Sequence, residues 1–143
     1  MRQKLTSAGL GVLLFAACGS AAIERSPSPR GALVPESDDG NLILYVSNQS
    51  YELREVGIDV WIDNVKYVSS MFTVGDQHDY PKYQFQVAPG EHRLVAEAAT
   101  VQATKTFEVV GKHWAFVGFW FDPQADDSPR VSLLVQDEPM YFR

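Results

Sequence analysis

Few side chains in this sequence could do chemistry, and the first to weigh are the three histidines, His78, His92 and His113. His78 stands between Asp76 and Asp79 in GDQHD. Histidine titrates near neutral pH and its ring nitrogens bind metals, so this loop could act as acid/base or hold an ion if the fold brought His92 or His113 to it. The spacing demands neither. There is no HExxH, no Cys/His ligand pair and no glycine-flanked nucleophilic serine. A histidine in a polar loop is ordinarily a solvated side chain, so the expectation is a non-enzyme without cofactors. Asp122, Asp126 and Asp127 form a second cluster, of the hard oxygen donors that calcium takes. Their spacing departs from the EF-hand loop, and a solvated acidic turn is the simpler reading.

The aromatic residues offer recognition instead of catalysis. In HWAFVGFWFD, alternation places Trp114, Phe116, Gly118 and Trp120 on one side of a strand and Ala115, Val117, Phe119 and Phe121 on the other. Both sides are apolar, although one face of a small antiparallel sheet usually meets water. If the second set faces the core, the first is an outward ladder with a notch at Gly118, able to stack on sugars or receive a partner's apolar side chain. The bland alternative is that the preceding tether, the loop DPQADDSP or the tail MYFR covers this face. Trp61, flanked by Asp59 and Asp63, is a candidate third tryptophan of the same surface.

Cys18 is the only cysteine, so no intramolecular disulfide is expected. It follows MRQK, with two positive charges, and an apolar run, LTSAGLGVLLFAA, that is too short for a bilayer span of ~20 residues. FAACGS resembles the bacterial lipobox, in which small residues precede a cysteine that is diacylated and becomes the mature N-terminus. Phe15 stands where that motif most often has Leu. The resemblance implies a signal peptide over residues 1–17, acylation at Cys18 and, with Gly19 where inner-membrane retention uses Asp, an outer membrane facing the periplasm. Cleavage after Ala21 or Ala22 is the rival reading, and it would discard Cys18. Residues 18–40, rich in Pro, Ser and Gly, read as a flexible tether with a reach of roughly 25 Å. The formal charge is −6. An acidic chain without a basic stripe repels phosphate backbones, which excludes nucleic acid as a natural partner.

Positioning falls to strands. LILYVSN, EVGIDVWID, VKYVSSMFTV, KYQFQVA, RLVAEAA, QATKTFEVV, the aromatic strand and RVSLLVQ carry strand periodicity, whereas no long stretch carries a helical one. Asp63-Asn64 tolerates positive φ and suits a tight hairpin, and Pro89-Gly90 suits a type II turn from which the chain returns. The expected fold for residues 41–143 is an all-β antiparallel sandwich, Ig-like or transthyretin-like, of about seven or eight strands. VWIDN and YQFQVAPGEHRLVAEA resemble the bacterial Ig-like and PEGA-type sandwich modules over roughly residues 56–98. Asn64 replaces the usual Gly there, and the name-giving tetrapeptide is missing. The expected function is a non-catalytic, lipid-anchored cell-envelope protein, a protein-binding or structural module. The alternative is a carbohydrate- or peptidoglycan-binding module using Trp61, Trp114 and Trp120, and the third reading is a small metal-dependent protein using His78 and nearby carboxylates.

Overall fold

A computed structural model describes residues 31–74 and 80–142. Cys18 and His78, with the acylation and His–carboxylate expectations placed on them, lie outside the described residues. Eight strands run in chain order: β1 (Leu42–Asn48), β2 (Glu55–Ile62), β3 (Val65–Thr73), β4 (Lys82–Phe85), β5 (Gly90–Ala98), β6 (Val101–Val109), β7 (His113–Trp120) and β8 (Arg130–Gln136). They form two four-stranded sheets, ordered β4-β1-β7-β8 and β3-β2-β5-β6. The fold is the expected β-sandwich.

Alternation creates its core. Val56, Ile58, Val60 and Ile62 of β2 are buried, as are Leu42, Leu44 and Val46 of β1, Tyr83 and Phe85 of β4, and Ala115, Val117 and Phe119 of β7. With no disulfide among the described residues, apolar burial is the main source of cohesion. The β2–β3 turn uses Asp63 and Asn64 at φ 49° and 66°, the left-handed pair of a type I′ hairpin. All pairings are antiparallel except β1–β7, which runs parallel from Leu42↔His113 to Asn48↔Phe119. That pair is far apart in sequence, so no tight turn dictates its direction.

Two expectations need correction. Gly90 does take a positive φ, 120°, but the chain does not return beside β4: it crosses from the β4 sheet to the β5 sheet. Residues 31–40, expected as part of the tether, are instead held against the sandwich. Ala32 is buried and bridges to Val68, the Leu33 amide donates to the Tyr67 carbonyl (2.9 Å), and the Ser37 amide donates to the Gln84 carbonyl (2.9 Å). β3 and β4 are edge strands, one in each sheet, so residues 31–40 pair with exposed backbone that would otherwise invite another strand.

Candidate binding face

On β7 the two sides separate as alternation requires. Ala115, Val117 and Phe119 are fully buried between the sheets, whereas Trp114, Phe116 and Trp120 point outward and stay partly exposed. Register builds the surface around them. Phe116 lies between Tyr45 of β1 and Leu134 of β8, Trp114 lies between Ile43 and Gln136, and Gly118 lies between Ser47 and Ser132. The expected notch at Gly118 is filled. A Cβ there would fall 2.6 Å from Phe116 Cζ and 3.0 Å from Trp120 Nε1, so the two rings lean together over the glycine. Ser47, beside it, is accordingly 1% exposed despite facing outward.

The tail covers the middle of this face. Phe142 stacks on Tyr80 with ring centroids 4.0 Å apart, meets Tyr45 edge-on at 4.9 Å and touches Phe116 at 5.7 Å. Such ring pairs contribute beyond their buried area. The tail's hold is otherwise light: Gln136 donates to the carbonyls of Glu138 and Pro139, and a groove of about 330 Å³ remains between Phe116, Leu134 and residues 139–142. Of the two readings of this face, each is therefore realised in part. Phe116 is capped by Phe142 of the tail, and Trp114 and Trp120 remain partly accessible toward the ends of the strand. Tyr45, Tyr80 and Phe142 complete the aromatic cluster and were not legible from strand periodicity, because three separate segments supply them.

Trp61 does not join this surface. It lies on β2, on the outer face of the other sheet, with the Lys66 ammonium 4.8 Å from its ring centroid and bridged to Asp59 at 2.8 Å. A single platform of Trp61, Trp114 and Trp120 is thus ruled out by the sandwich itself.

The remaining chemical candidates have structural duties. Asp122 caps a short 3₁₀ turn by accepting from the Gln124 amide at 3.0 Å, and Asp127 pairs with Arg130 at 2.8 Å. Among the described residues no three His, Cys, Asp or Glu side chains converge as a metal group, so Asp122, Asp126 and Asp127 form none. His92 is held by the Asp63 carboxylate and, at 2.6 Å, by the Ala88 carbonyl. Burial opposes charge on this imidazole, but its two acceptors outweigh that and raise its pKa. The Arg93 amide and then His92 hold the Asp63 carboxyl below its usual range. The pair ties the β2–β3 turn to the β4–β5 crossing, a structural clasp. The His113 ring meets the Gly111 carbonyl at 3.3 Å and lies tilted against Phe107, ring centroids 6.4 Å apart. The chain matches no known protein family, no curated protein and no solved structure.

Proposed function

We propose that this chain is an exported, lipid-anchored, non-catalytic module of a bacterial cell envelope that binds another envelope protein through the outer face of β7. The observation that carries the reading is the pairing of accessible rings at Trp114 and Trp120 with a lightly held aromatic cover at Phe142. Aromatic anchors surrounded by polar side chains are the usual build of a protein-binding patch, and here the rim is supplied by Lys82, Gln84, Arg130, Ser132 and Gln136. The signal-like N-terminus and the lipobox-like FAACGS support the anchored location. Acyl chains hold the protein at the membrane, and the sandwich presents its aromatic face.

A photo-crosslinking phenylalanine analogue placed at position 120 or 134, in living cells, tests this. The expected result is one discrete protein adduct from both positions and none from position 104 on the opposite sheet. Absence of adducts from 120 and 134, or equal labelling from all three positions, contradicts the proposal.

A further inference from the structure

The outer face of the β3-β2-β5-β6 sheet has a different chemistry. Register sets Lys66, Trp61, Val95 and Thr104 in one row and Ser69, Asp59, Glu97 and Gln102 in the next. Trp61 is therefore the single aromatic ring of a polar field. A bulge between Val60 and Trp61 leaves Tyr67 as an extra residue on β3, which turns onto Phe85 at 5.0 Å and brings Lys66 opposite the indole. Lys66 then lies over Trp61 and reaches Asp59, fixing the ring in place.

Beside the ring is a groove of about 230 Å³ lined by Trp61, Asn64, Arg93, Val95, Glu97 and Gln102. Val95, 8% exposed, is its apolar floor. The side chains of Asn64, Arg93, Glu97 and Gln102 take part in no hydrogen bond or ion pair among the described residues. Four hydrogen-bonding groups thus surround one positioned indole without satisfying one another. Arg93 offers a fork of donors, Glu97 offers acceptors, and the two amides offer both.

A sugar ring needs this combination. Its C–H face stacks on an indole, and its hydroxyls need planar donors and acceptors around the rim. One cation and one anion line the groove, so it favours a ligand without net charge. A protein partner would instead call for a contiguous apolar centre, which this face does not have. We infer that the groove beside Trp61 binds an uncharged oligosaccharide. This site is on the opposite face from β7, so a carbohydrate contact and a protein contact can coexist.

Calorimetric titration of the full chain with chitotetraose, cellotetraose and maltotetraose tests the inference. At least one should bind; Trp61→Ala should weaken that binding about tenfold or more, and Arg93→Ala and Gln102→Ala each about threefold. Gln102 is exposed and unpaired, so its variant keeps the test valid if Trp61→Ala fails to fold. Trp120→Ala should leave sugar binding unchanged, which separates this site from the protein-binding face. Failure of all three sugars to bind at millimolar concentration, or binding that survives Trp61→Ala, overturns the inference.

Discussion

Asn48 fixes the junction between the sheets. It is 5% exposed, donates to the carbonyls of Leu53 (2.9 Å) and Phe72 (3.1 Å), and accepts from the Ser50 amide (3.0 Å). Phe72 belongs to the other sheet, so one side chain joins the end of β1, the following loop and β3. Asn48→Ala removes a shared partner from buried backbone groups and should cost about 2 kcal/mol. A lowered urea midpoint is the expected readout, and an unchanged midpoint would show the bonds to be neutral. The Asp63–His92 clasp makes a prediction about pH. Because folding raises the His92 pKa, its stabilisation is fully present below the unfolded value near 6.5 and is lost as pH rises through the folded value. Because folding lowers the Asp63 pKa, its stabilisation is present above the usual 3.8 and is lost as pH falls through the lowered value. The clasp is therefore strongest between about pH 4 and 6.5. His92→Gln should lower the melting temperature more at pH 5.5 than at pH 8.5. The difference should correspond to roughly 1 kcal/mol or less, since Asp63 is half exposed.

Elements whose two sides differ were legible in the sequence. LILYVSN and RVSLLVQ coincide with β1 and β8, and the alternation of Val56, Ile58, Val60 and Ile62 identified the inner side of β2. The Asp63-Asn64 turn was legible because positive φ selects residue types. The course of the chain after Pro89-Gly90 was not, since the local φ requirement is the same for a hairpin and for a crossing between sheets. Residues 31–40 were misread as coil for a related reason: their attachment runs largely through backbone groups on β3 and β4, which composition does not reveal. Gly31, at φ 81° against β3, and Gly40 are local signs of that packing. A Cβ at Gly40 would fall 2.5 Å from the Phe85 carbonyl oxygen, a backbone atom that cannot swing aside. Gly40→Ala should accordingly cost about 1–3 kcal/mol, measured by chemical denaturation. A neutral substitution would show the segment to be free to lift away.

At the scale of the whole molecule, the sandwich separates two surfaces that the sequence could only list side by side. Alternation told which residues of β2 point outward and which residues of β7 share a side, but the side of β7 that faces out, and the assignment of Trp61 and Trp114 to opposite outer faces, depend on long-range pairing. The proposed location adds a further test: Cys18→Ser should move the protein from the membrane fraction to the soluble fraction, and unchanged membrane association would contradict acylation there. For docking, the outer face of β7 must stay open to a partner although Phe142 covers Phe116. Acrylamide quenching of the Trp61→Phe chain, in which only Trp114 and Trp120 emit, reports this openness. Efficient quenching is the expected result. Emission that acrylamide cannot reach would mean that the molecule closes this face itself, and the proposed docking surface would be contradicted.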